Sequence, residues 1–171
     1  MSTLKPPVSN SDQSAGNIQS SVTLVEFGDY QCPHCGHAYP LIKRLLKEKG
    51  DSFHFVFRNF PLQEVHPAAF MAAVAAEAAG KQHIFWPMHD MIFEHQQRLT
   101  GFDAFIGFAE KLKLNMHQFA EDVKSDAIIK KVELDFESGI RSGVNGTPTF
   151  FINGSIAPYD GTYESLLRSV E

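Results

Sequence analysis

The sequence predicts an α/β fold with a mixed central sheet and the element order β-α-β, a helical block, then α-β-β-α. Three observations predict it. A strand, a helix and a second strand follow one another over residues 22–58, which is the pattern of a right-handed βαβ unit. Helical periodicity then dominates residues 62–143, and a β pattern containing a hairpin signal returns before the last helix.

Length and composition favour one soluble domain. The chain has 171 residues, of which 43% are hydrophobic and 20% charged, and these are ordinary values for a globular domain with a sizeable core. A net charge of −5 provides no basic surface, so we expect no nucleic-acid partner. No run approaches the ~18–20 apolar residues of a membrane helix, so we expect no membrane insertion.

The first twenty residues are polar, contain two prolines and lack an apolar segment typical of a signal peptide. We therefore predict a disordered lead-in over residues 1–20 and a folded domain over residues 21–171, with a helical insertion at about residues 62–125. The chain as written favours a cytoplasmic location. Removal of an export signal would instead place the protein in the periplasm.

The first predicted strand, Val22–Phe27, is almost wholly apolar, as expected for a central strand covered on both faces. The following helix should begin near Pro33, because the first turn of a helix tolerates proline, and should end at Gly50. Residues Phe53–Arg58 form the second strand.

The rest of the chain alternates helical patterns with one hairpin. Asn153-Gly154 predicts a type I′ turn between strands Thr149–Ile152 and Ser155–Ala157. Asn115 is a predicted helix N-cap with Gln118 at the capping-box position. The other predicted helices are His66–Ala79, Ile84–Gln97, Asp103–Leu112, Asp126–Ser142 and Thr162–Val170.

Only two cysteines are present, and they lie together in Cys32-Pro33-His34-Cys35. A secreted protein stabilised by several disulfides would contain more cysteines, spread along the chain. At a helix N-terminus, free N–H groups and the helix dipole lower a thiol pKa, which predicts Cys32 as the attacking thiolate. His34 can add a positive charge or a hydrogen bond, and Cys35 should resolve the mixed disulfide.

Two alternatives to redox chemistry remain open. In the first alternative the two cysteines form half of a zinc site, because His34 and His37 accompany them. Zinc usually takes four ligands, however, and no second close pair is present. The chain would then be a metal- or peptide-binding module. The other alternative is a glutathione-linked isomerase or transferase acting on small molecules. Such proteins usually replace the second cysteine, whereas Cys35 is present here. We predict no bound metal and no cofactor.

Three segments resemble the DsbA-like thiol:disulfide oxidoreductases of the thioredoxin superfamily, from about Val22 to the end of the chain. They are GDYQCPHCGHAYP, FRNFPLQEVHPAAFMAAVAAEAAG and RSGVNGTPTFFING. The resemblance implies a thioredoxin-like fold and a protein-disulfide oxidoreductase that exchanges disulfides with protein substrates through Cys32 and Cys35. It also implies a redox partner protein or glutathione that renews the cysteine pair.

The resemblance adds further site residues. Thr147-Pro148 occupies the position of the family's cis-proline loop, where an exposed backbone can pair with an extended substrate; we assign Pro33, Thr147 and Pro148 to substrate binding. Glu26 is a carboxylate in an otherwise apolar strand, and relatives carry a buried acid there. Because burial raises a carboxyl pKa, Glu26 could shuttle the proton of Cys35. Arg58 is its expected ion-pair partner.

Overall fold

The computed structural model describes residues 2–171 and contains five strands and seven α-helices over that range. The strands are β1 (Gln13–Gly16), β2 (Thr23–Gly28), β3 (His54–Asn59), β4 (Thr149–Ile152) and β5 (Ser155–Ala157). The helices are α1 (Pro33–Lys49), α2 (Ala69–Gly80), α3 (Phe85–Glu94), α4 (Phe102–Lys111), α5 (Met116–Asp122), α6 (Asp126–Arg141) and α7 (Tyr163–Val170), with a 3₁₀ turn over Gln96–Arg98.

The strands form one mixed sheet in the order β1-β3-β2-β4-β5. Strand β2 pairs in parallel with β3 and antiparallel with β4, while β1 and β5 add antiparallel edges. Parallel pairing of β2 with β3 requires a crossover, which α1 supplies. The predicted α/β fold with a mixed central sheet is therefore confirmed. Among residues 2–171, no helix has both the length and the apolar character needed to cross a membrane.

Local signals in the sequence account for several element boundaries. Asn153 and Gly154 have φ values of 46° and 86°, and a type I′ turn requires positive φ at both positions. Asn115 caps α5, because its side chain accepts a hydrogen bond from the backbone N–H of Gln118 at 3.0 Å. Cys32 is the extended N-cap of α1, and Pro33 begins the helix.

Side chains along each strand point alternately to the two faces of the sheet, so the core is divided into two clusters. One cluster contains Leu24 and Phe55 and continues into α1, α2, α3 and α4. The other contains Val25 and Phe27, and Phe136 of α6 packs against it. Because Glu26 follows Val25, its side chain shares the face of Leu24, which is the face covered by α1 and α3.

The prediction of a disordered lead-in over residues 1–20 is wrong for the described residues 2–20, and residue 1 lies outside them. Gln13–Gly16 forms β1 along the free edge of β3, and Leu4 is buried. The segment gains its order from backbone pairing with an edge strand and from distant side chains. The polar composition of the segment does not by itself indicate the edge strand or the distant side chains that order it.

The prediction that Arg58 forms an ion pair with Glu26 is also wrong. Arg58 is 3% exposed and donates to both carboxylate oxygens of Asp12, at 2.8 and 2.9 Å. Its guanidinium also donates to the carbonyls of Pro6 and Pro7. The alternation of side chains along the strands explains why this pairing does not form, because Arg58 projects from β3 on the face opposite to that of Glu26. Arg58 therefore fastens the N-terminal segment to the sheet.

Candidate active site

The two cysteines lie where β2 leads into α1. Cys32 is the N-cap residue, and Cys35 lies in the first turn. Both thiols are free, with relative exposures of 5% for Cys32 and 0% for Cys35. The local turn is closed by the N–H of Cys32, which donates to the backbone carbonyl of Asp29 at 3.1 Å. The helix start thus leaves Cys32 slightly accessible and buries Cys35 completely.

The surroundings lower the pKa of the Cys32 thiol to about 5. The largest cause is a hydrogen bond from the Cys35 thiol; partial burial opposes it, and the side chain of Thr147 adds to it. The backbone N–H groups of Cys35 and His34 contribute further. Hydrogen bonds to the charged form favour that form, so Cys32 is a thiolate at neutral pH.

Cys35 has the opposite character. Burial raises its pKa well above the usual thiol value, and its hydrogen bond to Cys32 and the charges of Glu26 and Cys32 raise it further. The backbone N–H of Asp29 donates to its sulfur at 3.4 Å, which opposes this effect. Cys35 is therefore protonated at neutral pH and must lose a proton before it can act as a nucleophile.

Glu26 is the buried carboxyl group near this pair. Its relative exposure is 3%, and burial, followed by the negative charge of Cys32, raises its pKa to about 8. A group with such a pKa both accepts and releases a proton near neutral pH. The structure thus places Glu26 in the buried environment that the sequence predicts.

The Thr147–Pro148 peptide bond is cis, as the resemblance implies. The Cys32 thiol lies 3.5 Å from the carbonyl oxygen of Thr147, to which it donates a hydrogen bond when protonated. The loop before β4 therefore lies directly against the reactive sulfur. An extended chain that paired with the backbone of Thr147 would be held beside Cys32.

The predicted role of the His34 ring beside the Cys32 thiolate stays a prediction. His34 and Pro33 are both exposed at the start of α1, and it is the backbone N–H of His34 that helps lower the Cys32 pKa. The ring of His37 is engaged elsewhere, with its Nε2 2.9 Å from the carbonyl oxygen of Gly161. Over residues 2–171, no group of three or more His, Cys, Asp or Glu side chains could hold a metal ion.

Asp29 is a site residue that sequence reasoning missed. Its Oδ1 accepts from the backbone N–H groups of Gln31 and Cys32 at 2.8 and 3.2 Å. Its Oδ2 accepts from the N–H of Leu62 at 2.9 Å and from Nδ1 of His66 at 2.8 Å. Asp29 thereby ties the cysteine loop to the segment that precedes α2. An aspartate just after a strand is a signal for such side-chain-to-backbone turns.

Gln96 is a second residue that was missed. Its Nε2 donates to the carbonyl oxygens of Tyr30 and Cys32, at 2.9 and 2.8 Å. A Cβ atom added at Gly36 would collide with Oε1 of Gln96 where that side chain now lies, so the glycine leaves room for it. The helical block therefore contributes directly to the architecture of the site, through a contact that links residues far apart in sequence.

This fold and this site define a thioredoxin-like protein with a paired-cysteine centre beside a cis-proline loop. The family model described as Thioredoxin matches residues 9–171, and the chain belongs to that family. The match begins inside the N-terminal segment, in agreement with the ordered β1.

Curated relatives include the Na⁺/H⁺ antiporter NhaA 1 of Salinispora arenicola, which is 42% identical over 143 residues, covering 84% of this chain and 22% of the antiporter. The chain spans between 22% and 28% of the length of the curated antiporters it matches. The likeness therefore concerns one part of those proteins and does not carry their antiport activity to this chain.

Many solved structures share the fold, and two of them illustrate the likeness. A thioredoxin-like oxidoreductase from Silicibacter pomeroyi has a TM-score of 0.82 and 24% identity, with 95% of this chain and 91% of that chain covered. The thiol-disulfide exchange protein α-DsbA2 from Wolbachia pipientis has a TM-score of 0.81 and 23% identity, with 94% and 86% covered. A DsbA-like protein is therefore among the structural neighbours, as the sequence resemblance indicates.

Proposed function

We propose that this chain is a DsbA-like protein thiol–disulfide oxidoreductase that exchanges disulfides with protein substrates through Cys32 and Cys35. The observation that carries the proposal is the difference between the two thiols. Cys32 is held as a thiolate with a pKa of about 5, and Cys35 beside it is buried and protonated. Such a pair supplies one attacking and one resolving sulfur.

The exchange needs only these groups and the substrate. In the reducing direction, the Cys32 thiolate attacks a substrate disulfide, a mixed disulfide forms, and one substrate sulfur leaves as a thiolate. Cys35 then loses its proton and attacks the Sγ of Cys32, which releases the second substrate thiolate and leaves the Cys32–Cys35 disulfide. The oxidising direction runs through the same steps in reverse.

In this mechanism Glu26 takes the proton of Cys35 in the reducing direction and returns it in the oxidising direction. Its raised pKa, about 8, suits that exchange near neutral pH, because a base works best when its pKa lies close to the working pH. The charge of Glu26 raises the pKa of Cys35, and this electrostatic influence between two buried groups supports the assignment.

Substrate binding falls to Pro33, Thr147 and Pro148. The carbonyl of Thr147 lies 3.5 Å from the Cys32 sulfur, so a substrate strand paired with this loop is delivered to the nucleophile. Backbone pairing recognises extended chains largely without regard to sequence, which fits broad protein substrates. Pro33 and His34 are exposed at the start of α1, where they can contact a bound substrate.

A redox partner protein or glutathione renews the pair, and the compartment sets the direction. In the periplasm the protein would act as an oxidant, because the stabilised Cys32 thiolate favours the reduced form of the pair. In the cytoplasm the pair would be kept reduced and would act as a reductase or isomerase.

Insulin reduction by a dithiol and oxidative refolding of a reduced protein test the proposal in both directions. Wild-type protein should accelerate both reactions, and Cys32→Ser should abolish the acceleration. Cys35→Ser should accumulate a mixed disulfide between Cys32 and the substrate, which mass spectrometry detects. His37→Gln is a matched control, since this exposed neighbour contacts Gly161 and not the cysteines. Unaccelerated reactions with the wild-type protein, or full activity of Cys32→Ser, would refute the proposal.

A further inference from the structure

The carboxylate of Asp29 is buried between two parts of the chain. Its side chain is 0% exposed, and both of its oxygens accept hydrogen bonds. Oδ1 faces the cysteine loop, where the N–H groups of Gln31 and Cys32 donate to it, and Oδ2 accepts from the N–H of Leu62 and from Nδ1 of His66. These donors fill the about four acceptor positions of a carboxylate. Burying a carboxylate is unfavourable unless its oxygens are hydrogen-bonded, so both groups of donors must stay in contact with it.

Asp29 also contacts both cysteines, through different groups. Its side chain accepts a hydrogen bond from the backbone N–H of Cys32 at 3.2 Å, and its own backbone N–H donates to the sulfur of Cys35 at 3.4 Å. One residue therefore fixes the main chain of the attacking cysteine and the sulfur of the resolving cysteine. The placement of the two cysteines relative to each other depends on the placement of Asp29.

The partners on the other side of Asp29 belong to residues 62–68, which we call the entry segment because it leads into α2. The backbone N–H of His66 donates to the carbonyl oxygen of Leu62 at 2.8 Å, so the segment is closed by a turn of its own. A second contact joins it to the cysteine loop, because the backbone N–H of Ala68 donates to Oε1 of Gln31 at 2.8 Å. The entry segment is thus a preformed support against which the cysteine loop is held.

We propose that Asp29 is a positioning residue for the resolving step: it holds the cysteine loop against the entry segment, so that Cys35 stays in place to attack the Sγ of Cys32 in the mixed disulfide. The inference rests on the proposed function, in which Cys35 resolves that intermediate. It adds the group that keeps the two sulfurs in their relative positions. It also gives the beginning of the helical insertion a role in the reaction.

Orientation controls the rate of resolution because the step is intramolecular. The Cys35 thiolate forms a bond to the Sγ of Cys32, the bond between Cys32 and the substrate sulfur breaks, and the substrate leaves as a thiolate. A misplacement of about 1 Å in such a step can cost roughly 10²-fold in rate. A cysteine loop released from the entry segment samples more conformations, so it must lose more freedom before the two sulfurs meet. The same loss of freedom lowers the equilibrium constant for closing the Cys32–Cys35 disulfide.

Asp29→Asn tests the inference with little change in size. An amide has one acceptor oxygen and carries a donor group in place of the second oxygen. It therefore cannot satisfy the donors of the cysteine loop and those of the entry segment at the same time. Reduced protein is equilibrated with glutathione and glutathione disulfide, and the quenched samples are alkylated and analysed by mass spectrometry.

The equilibrium constant for forming the Cys32–Cys35 disulfide should fall about tenfold in this variant, which makes the pair a stronger oxidant. The fall is less than the full effect of a misplaced sulfur, because Gln96 still donates to the carbonyl oxygens of Tyr30 and Cys32. A tenfold change corresponds to about 30 mV for a two-electron couple.

The kinetics of the same reaction separate resolution from attack. The mixed disulfide between Cys32 and glutathione should accumulate to a higher level in Asp29→Asn, because Cys35 removes it more slowly. Alkylation of Cys32 by iodoacetamide at about pH 8 should keep nearly the same rate, since that pH lies well above the thiol pKa of about 5. A loss of alkylation rate as large as the loss of resolution would overturn the inference, because the defect would then lie in the nucleophile.

Asp12→Asn is the matched control. Asp12 is likewise a buried carboxylate, with a side-chain exposure of 5%, and its hydrogen bonds come from Arg58 and from the backbone N–H of Ser9. This substitution should lower the stability measured by urea unfolding and leave the glutathione equilibrium unchanged. An equal change of the equilibrium constant in both variants would overturn the inference, because any loss of stability would then produce it. An unchanged constant in folded Asp29→Asn would overturn it as well.

A double variant decides the outcome if Asp29→Asn does not fold. Gln31→Ala combined with His66→Ala removes two contacts between the cysteine loop and the entry segment, and it leaves the hydrogen bond from Cys32 to Asp29 in place. It should lower the equilibrium constant in the same direction, and an unchanged value would overturn the inference.

The glutathione equilibrium requires no protein substrate, so the inference and the proposed function fail in different ways. If the wild-type protein accelerates neither insulin reduction nor oxidative refolding while Asp29→Asn shifts the equilibrium, the proposed function is wrong and the positioning role of Asp29 stands. If the wild-type protein accelerates both reactions and Asp29→Asn shifts nothing, the positioning role is wrong and the proposed function stands.

Discussion

Replacing Glu26 with glutamine should make stability less sensitive to pH. The ordinary pKa of the carboxyl group is 4.5, and burial raises it to about 8 in the folded protein. The folded state therefore holds this proton more tightly than the unfolded state does. Stability from this group is fully present below about pH 4.5, falls as the pH rises, and reaches its lowest level above about pH 8.

The size of the effect follows from those two values. Each pH unit between them costs about 1.4 kcal/mol, so ionisation of the unfolded carboxyl costs the folded protein about 3 kcal/mol by pH 7. Glu26→Gln does not ionise and should escape this loss. Urea unfolding of the reduced wild-type and variant proteins from about pH 4 to about pH 7 measures the difference. Parallel stability curves would refute the reasoning, because they would show that Glu26 ionises with an ordinary pKa.

Two further substitutions test other parts of the structure. Asp12→Ala removes the carboxylate that pairs with the buried Arg58, and breaking such a pair should cost about 3–5 kcal/mol in urea unfolding; a loss near zero would mean that the N-terminal segment is not fastened to the sheet. Cys35→Ala removes the largest cause of the low Cys32 pKa, so that pKa should rise above about 5 when followed by thiolate absorbance; an unchanged value would mean that the helix start alone sets it.

Periodicity and turn chemistry predicted most of the fold because those elements are defined locally. Strand β2, helix α1 and strand β3 each have a clear apolar pattern, and Asn153-Gly154 marks the hairpin. Strand β1 was missed because Gln13–Gly16 has no apolar alternation of its own. Its pairing with β3 depends on an available sheet edge, which exists only after the rest of the domain has formed.

The chemistry of the site was predictable where it lies within a short motif, and less so where it joins distant segments. Cys32, Cys35 and Glu26 could be singled out from their positions in a strand and at a helix start. Asp29 was passed over because its partners, Leu62 and His66, are identified only by tertiary structure.

The central claim is that Cys32 is the nucleophile and Cys35 the buried resolving thiol. It is tested most directly by alkylating the reduced native protein with iodoacetamide over a range of pH and locating the modified cysteine by mass spectrometry. The account predicts modification of Cys32 with a midpoint near the pKa of about 5, while Cys35 stays protected. Preferential modification of Cys35, or a Cys32 midpoint near the ordinary thiol value of 9.0, would contradict it.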